Sequence, residues 1–295
     1  MESSGAEIFA GERRYLLSLA YRMLGSMADA EDLVQEAWLR WRQADTEEIR
    51  SPRAYLTTVV TRLAINYLDS ARVRREEYVG PWLPEPVVTV GAADPVELSE
   101  SLAMAFLVLM ESLTPVERAV FLLHDVFDYS HAETAQIVGS TEEACRQMLR
   151  RAKQAMEARR PRFHPEPGAV ERLMQQFGAA VQGGDLEGLM SLLHEDITVY
   201  SDGGGRTRAA LNPIHGQDRA ARFLIGIARK GGEGLRRELT WINGQPGFIG
   251  FRDGAAQTVL VPDIEEDGVG EGRIRAIYIV VNPDKLQRLP KEGEA

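Results

Sequence analysis

A single cysteine stands in 295 residues, so no internal disulfide can form, and nothing else in the composition points to an oxidising compartment. Residues 1–20 carry charges of both signs throughout and contain no apolar signal-peptide core. The longest greasy stretch, Leu102–Met110, is far short of the roughly 20 residues that a membrane span requires. Internal repeats and low-complexity tracts are also missing. These absences exclude a disulfide-stapled scaffold, a helical membrane protein and a solenoid, and the expectation is a soluble, cytoplasmic protein. What is there is ordinary globular material, 44% apolar and 26% charged, in a chain long enough for two or three small domains.

Net positive charge is the other thing lacking: the formal balance is −10. Charge acts locally, however, because screening cuts exposed interactions off beyond about 8 Å. Arg72, Arg74 and Arg75 cluster at the end of one predicted helix. Arg146, Arg150, Arg151, Lys153, Arg159, Arg160 and Arg162 crowd another stretch opposed only by Glu157. Acidity is concentrated in Asp29–Glu36, Asp45–Glu48 and Asp263–Glu271. Two basic patches on an acidic body are compatible with a DNA binder that avoids indiscriminate sticking, although a basic helix end is most often a solvated face.

The first 160 residues read as helices. Tyr15–Leu24 and Asp29–Trp41 are amphipathic, the second burying Leu33, Val34, Ala37, Trp38 and Trp41. Ser51-Pro52 opens a long helix, serine as N-cap and proline in the first turn, with a predicted core stripe of Leu56, Val59/Val60, Leu63 and Tyr67. Gly80–Pro95, rich in Pro and Gly, reads as an interdomain linker. Helix starts with a cap, a Pro and a Glu follow at Asp94–Glu97 and Thr114–Glu117, and capping-box spacings recur at Ser130/Glu133 and Ser140/Glu143. The last two flank a short helix that ends at Gly139, which predicts a helix-turn-helix. Beyond the Pro-rich break at 161–167, helices near 169–182, 185–193 and 216–229 alternate with strand-like runs. The strands are Ile197–Tyr200, Glu238–Asn243, Gly247–Phe251, Ala256–Val261 and Arg273–Val281, and the pattern predicts an α+β domain with an antiparallel meander.

On the helix predicted at 141–156, Cys145, Leu149, Ala152 and Met156 share one narrow arc and form its buried face. The opposite arc holds Gln147, Arg150, Arg151 and Gln154, flanked by Arg146 and Lys153. Gln and Arg near the start of such a helix suit base edges, and later Arg and Lys suit phosphates. The bland reading is an exposed, salt-bridged surface helix. In the C-terminal part Asp202, His194, His215 and Asp263 have the right chemistry for acid–base work, but no spacing fixes them in one cavity. The glycines of Asp202–Arg206 are not a phosphate loop, since the GK[ST] ending is missing, and are expected to form a flexible turn.

At this point the chain resembles a known family. DAEDLVQEAWLRW (29–41), SPRAYLTTVVTRLAINYLDSARVRRE (51–76) and TPVERAVFLLHDVFDYSHAETAQIVGSTEEACRQMLRRAKQAM (114–156) are similar to regions 2 and 4 of extracytoplasmic-function sigma factors of the sigma-70 family. WLPEP (82–86), DGGGR (202–206) and NPDKL (282–286) resemble motifs of the group that carries a SnoaL-like C-terminal extension, with Arg206 where that group usually has Lys. The resemblance implies a multidomain fold: two all-α sigma domains, a region 2 helical bundle and a region 4 helix-turn-helix, followed by a cone-shaped α+β SnoaL/NTF2-like domain. Its implied boundaries are 1–79, a linker at 80–96, 97–160, a linker at 161–167, and 168–295.

The same resemblance implies partners and residues. The chain would bind the large subunits of RNA polymerase core through Asp32, Gln35 and Glu36. Double-stranded promoter DNA would be bound at the −35 element by Arg146, Gln147, Arg150, Arg151 and Lys153. At the −10 element, single-stranded after melting, the loop 43–52 and the helix behind it would act through Arg62, Asn66, Asp69, Arg72, Arg74 and Arg75. Arg62 and Asn66 stand where the family often has Asn and Asp, so base preference does not carry over. Trp82, Leu83, Pro84, Glu85 and Pro86 would form an interdomain regulatory surface with Asp202, Gly203, Gly204, Gly205, Arg206, Asn282, Pro283, Asp284, Lys285 and Leu286. Trp82 and Leu83 are expected to dock on the C-terminal domain, helped by prolines that hold the segment extended. No catalytic residue, metal, cofactor, membrane or separate anti-sigma factor is expected, and the free protein is expected to be a monomer. Two other readings stay open: a ligand-sensing helix-turn-helix regulator that never joins polymerase, and a SnoaL-type enzyme with a helical appendage.

Overall fold

In a computed structural model the described residues are 2–45, 49–76, 78–89, 102–157, 168–231, 234–266 and 272–294. The expected cap at Asp94–Glu97, part of the loop 43–52 and the break at 161–167 lie outside them. The chain divides into two compact units, one built from residues 1–77 and 107–159, the other from 78–106 and 160–295. Among the described residues no helix is long and apolar enough to cross a membrane, and no group of His, Cys, Asp and Glu side chains is placed to hold a metal.

The first unit is all helix. Its opening three helices are α1 (Glu2–Leu24), α2 (Met27–Gln43) and α3 (Pro52–Glu76). Ser26 caps α2 by accepting from the Asp29 amide at 3.2 Å, and Ser51 caps α3 through the Ala54 amide at 3.3 Å. Leu16, Leu19, Tyr21, Leu24, Val34, Ala37 and Trp41 are buried between them, and the Trp41 indole donates to the Gly5 carbonyl at 2.9 Å. On α3 the buried stripe is Leu56, Val60, Ala64 and Leu68 with Thr57 and Thr61, rotated from the stripe expected. The pattern misled because threonine counts as polar. Thr57 satisfies its own hydroxyl by donating to the Arg53 carbonyl one turn back, at 2.7 Å, and can then be buried.

Four more helices complete the all-α part: α4 (Met104–Met110), α5 (Pro115–Phe121, running into a wider turn at Leu122–Val126), α6 (His131–Val138) and α7 (Glu142–Glu157). Full capping boxes open α5 at Thr114/Glu117 and α6 at Ser130/Glu133. Gly139 ends α6 in the left-handed region, at φ 72°. The cap of α7 is Thr141, one residue later than expected, accepting from the Ala144 amide at 3.2 Å. Ser140 is absorbed by the preceding turn, its amide bonding the Ala135 carbonyl at 2.9 Å. Cys145, Leu149, Ala152 and Met156 are buried.

The second unit packs α8 (Ala169–Gly183), α9 (Leu186–Leu192) and α10 (Gln217–Gly231) on a six-stranded sheet. The strands are β1 (Leu193–Asp202), β2 (Ile214–His215), β3 (Arg236–Ile242), β4 (Gln245–Arg252), β5 (Ala255–Glu266) and β6 (Gly272–Val280), in the order β2-β1-β6-β5-β4-β3. Met174, Phe177, Leu189, Ile197, Val199, Leu224, Ile277 and Ile279 form the core between helices and sheet. β3 to β6 form the antiparallel meander expected. β1 instead runs parallel to β6, and the two-residue β2 was not foreseen. A parallel pair has no local signature, because its connection runs through other elements of the fold. The hairpin turns are Asn243-Gly244 and Asp253-Gly254, all four residues at positive φ, as mirror-type turns require. A short helix, α11 (Pro283–Leu286), follows β6.

Candidate functional site: a captured connector and three exposed helix faces

Residues 78–89 follow α3 in sequence, yet they belong to the C-terminal unit. Asp202, at the end of β1 and fully buried, is the centre of this capture. Its carboxylate accepts from the Tyr78 hydroxyl at 2.6 Å, the Leu83 amide at 2.9 Å, the Gly204 amide at 3.0 Å and the Lys285 ammonium at 2.7 Å. Lys285 also donates to the Leu83 carbonyl and lies 4.2 Å from the centre of the Trp82 ring and 5.3 Å from that of Tyr78. Asn282 caps α11 through the Asp284 amide at 3.1 Å and donates to the Tyr78 hydroxyl at 2.9 Å. Burial, with the carboxylate of Asp202 beside it, pushes the Tyr78 hydroxyl to a raised pKa, so it stays a donor. Leu83, Pro84, Glu85, Pro86 and Leu286 are buried, and Glu85 faces Arg288 at 3.6 Å.

The glycine loop is closely packed. Gly204 has φ 60°, and a Cβ there would lie 2.3 Å from the Asn282 amide nitrogen. At Gly203 a Cβ would lie 2.3 Å from the Thr207 carbonyl oxygen. Arg206 pairs with Asp284 at 3.0 Å, joining the DGGGR loop to α11 next to Pro283. At its far end the connector makes a single antiparallel bridge to the sheet edge. Val88 bridges Ile242 antiparallel, the Thr89 amide donates to the Trp241 carbonyl at 2.9 Å, and Val87 exchanges bonds with Asn243 at 2.8 and 3.0 Å. Tyr78, Thr89 and Asn243 were missed by the sequence reading. The Asn-Gly turn was a visible hairpin signal, but nothing local says that its Asn side chain, fully buried, receives another segment.

The helical residues divide differently. On α2, Asp32 and Gln35 are exposed and Glu36 is half-buried and paired with Arg40 at 3.0 Å, all off the buried Leu33/Ala37/Trp41 stripe. On α3, Asn66 and Asp69 are exposed. Arg62 is exposed with them, as expected, and its guanidinium also donates to the carbonyls of Ile137 at 2.9 Å and Gln136 at 3.1 Å, at the end of α6. Arg72, Arg74 and Arg75 lie on the last turns of α3, and their side chains are outside the described residues. On α7, Gln147 and Arg150 are exposed. Arg146 pairs with Glu142 at 2.7 Å, Arg151 with Glu117 at 2.9 Å and Lys153 with Asp125 at 2.8 Å. A cleft of about 380 Å³ beside them is lined by His131, Arg146, Leu149, Arg150, Lys153 and Gln154.

The acid–base candidates are not assembled. Asp202 is occupied by Tyr78 and Leu83 of the connector, by the Gly204 amide and by Lys285. His194 accepts from the Asp196 amide at 3.1 Å, and His215 lies 3.1 Å from the Thr198 hydroxyl on the edge strand β2. Asp263 is on β5, three strand spacings from β2, roughly 14 Å across the sheet.

Comparison with known proteins assigns both helical stretches to known regions. The profile of Sigma-70 region 2 matches residues 8–74, and that of Sigma-70 region 4 matches residues 103–156. The ECF RNA polymerase sigma factor SigJ of Mycobacterium tuberculosis is 40% identical, the match covering 97% of this chain and 95% of SigJ. This chain is an extracytoplasmic-function sigma factor. A probable ECF sigma factor, SigI, of the same organism is 30% identical over 95% of this chain and 94% of its own length. The crystal structure of SigJ superposes with a TM-score of 0.75 at 38% identity, covering 95% of this sigma factor and 97% of that chain. The function of the family follows: the sigma factor binds RNA polymerase core and directs promoter-specific initiation of transcription. Its sheet domain is the α+β domain expected, and the superposition on SigJ extends over it.

Proposed function

We propose that the C-terminal domain regulates this sigma factor by holding the connector between its two readers, and that it catalyses nothing. The observation that carries the reading is the convergence of Tyr78, Leu83 and Lys285 on the buried carboxylate of Asp202. A carboxylate spent on three such bonds and a glycine amide has no lone pair left for substrate chemistry. Domains at 1–79, 97–160 and 168–295 divide the work. Asp32, Gln35 and Glu36 meet the large subunits of polymerase core. The exposed face of α3 reads the −10 element once it is single-stranded, and Arg146, Gln147, Arg150, Arg151 and Lys153 address the −35 duplex. The protein acts in the cytoplasm, as a monomer when free, and its attached domain stands in for a separate anti-sigma factor.

The test is run-off transcription by purified core polymerase, using a promoter selected from random sequence with this sigma factor. Lys285→Ala is expected to change output in the full chain and to have no effect in a chain ending at Glu157. Equal output from the full-length variant and wild type would refute regulation through the connector. Turnover of a polyketide-like or steroid-like substrate, lost in Asp202→Asn, would establish the enzymatic alternative instead.

A further inference from the structure

The cleft beside α7 lies on the helix-turn-helix, and its charges are not all paired. On its rim Arg146 is held by Glu142 at 2.7 Å and Lys153 by Asp125 at 2.8 Å. Arg150 lines the same cleft, is exposed, and makes no ion pair among the described residues. Facing it across the cleft is His131, the first residue of α6. The His131 ring stacks on that of His124, centres 4.2 Å apart and planes 26° apart. Its Nδ1 is buried and has no hydrogen-bond partner among the described residues. His124 lies 3.0 Å from Asp125, so the Asp125 carboxylate stands between His124 and Lys153. Burial, His124 and Arg146 hold the pKa of His131 below the usual histidine value, against Glu142 and Asp125. The partial positive charge at the start of α6 acts in the same direction as Arg146. His131 is therefore neutral at neutral pH, in a cleft whose other charges are cationic.

We propose that this cleft seats a backbone phosphate of the −35 duplex, with Arg150 as its standing charge and His131 as a second charge acquired on binding, so that −35 recognition takes up a proton. This rests on the assignment of α7 to the −35 element. A phosphodiester is anionic whatever base it carries, and its arrival reverses the balance around His131. The ring that His124 and Arg146 keep uncharged in the free chain then faces an anion. Its pKa rises in the complex, and the proton it gains comes from solvent. By linkage, a group with a higher pKa in the complex strengthens binding below that pKa, and the gain is lost as pH rises through it. The helix-turn-helix thus holds the −35 duplex more tightly in mildly acidic than in neutral solution. Because the contact is to the backbone, it adds affinity without base preference. If the two rings served only to pack the turn before α6, DNA binding would take up no proton there.

The experiment titrates the full chain with a duplex carrying the −35 element of the selected promoter and a dye insensitive to pH. Binding is compared at about pH 7.5 and about pH 5.5, on either side of the ordinary histidine range, at constant ionic strength. Acid also lowers the negative charge of the whole chain and helps every variant alike, so the difference between variants is what is read. Wild type is expected to gain about five- to tenfold more affinity on acidification than His131→Gln, the equivalent of a pKa rise of about one unit in the complex. His131→Lys, charged at both values, is expected to bind more tightly than His131→Gln at the higher pH and to gain no more than it does on acidification. Histidine-ring NMR of the full chain, with the His131 signal identified by its loss in His131→Gln, should show a higher pKa with the duplex than without. Equal gains in wild type and His131→Gln overturn the proposal, as does a ring pKa that the duplex leaves unchanged, or a duplex that binds at neither pH. A wrong −35 assignment shows itself differently: a duplex with the −35 sequence scrambled would bind as tightly as the selected one, with the proton uptake at His131 retained.

Discussion

Asp202 is fully buried and Lys285 keeps only 11% of its side chain exposed, so neither charge has water to fall back on. Removing one partner of such a pair leaves the other buried and uncompensated, which is worth about 3–5 kcal/mol. Asp202→Ala is therefore expected to destabilise the C-terminal unit by that amount in urea denaturation. Adding Lys285→Met should recover part of the loss, and a double-mutant cycle measures the coupling. Asp263 makes a different prediction. Burial pushes its carboxyl up from 3.8 to about 6, with Arg275 opposing and Glu265 assisting, and one oxygen has no hydrogen-bond partner among the described residues. The folded chain then holds its proton where the unfolded chain has released it, so stability falls as pH rises from about 4 to about 6. The full effect, about 3 kcal/mol, is lost above that window. Asp263→Asn should flatten this slope and raise the melting temperature at neutral pH, read by calorimetry.

At the scale of elements, α2 and α7 each present one exposed face, and the proposed contacts lie on those faces. Asp32→Ala with Gln35→Ala is expected to abolish binding to core polymerase in a titration, while stability changes by less than about 0.5 kcal/mol because both side chains are exposed. On α7 the charges are not equivalent. Gln147 is exposed, and if it reads a base edge as proposed, Gln147→Ala should relax preference at one −35 base pair at a cost of about 1–3 kcal/mol. Arg151 is held by Glu117; burial is the largest single influence on that carboxyl and raises it, but the Thr114 cap and Arg151 together outweigh burial and hold it below its usual range. Arg151→Ala should weaken all sequences alike and reduce the magnitude of the salt slope by about 0.9. Both are read by fluorescence anisotropy across a salt series. The faces themselves were legible from periodicity, because α2 and α7 bury clean apolar stripes. The stripe of α3 was not, because two buried threonines break it.

For the molecule as a whole, the connector is the segment on which the proposed regulation turns. A chain ending at Glu157 keeps the connector but loses the sheet that buries Leu83, Pro84 and Pro86. The expected outcome is rapid proteolytic cleavage within 82–89 in the truncated chain and protection in the full one, followed by limited digestion and mass spectrometry.

The sequence by itself determined the helices, their caps, the helix-turn-helix, most strands and the family, because each is written in local periodicity, capping pairs or motif order. It also marked Trp82, Asp202 and Lys285, but only as motifs. Tertiary structure alone decided that Tyr78 and Leu83 meet Asp202, that Val87–Thr89 pair with the β3–β4 turn, that β1 runs beside β6, and that Arg62 caps α6. Each joins residues distant in sequence through hydrogen bonds whose partners leave no periodic trace, and each forms only because burial removes the water that would otherwise satisfy the same groups.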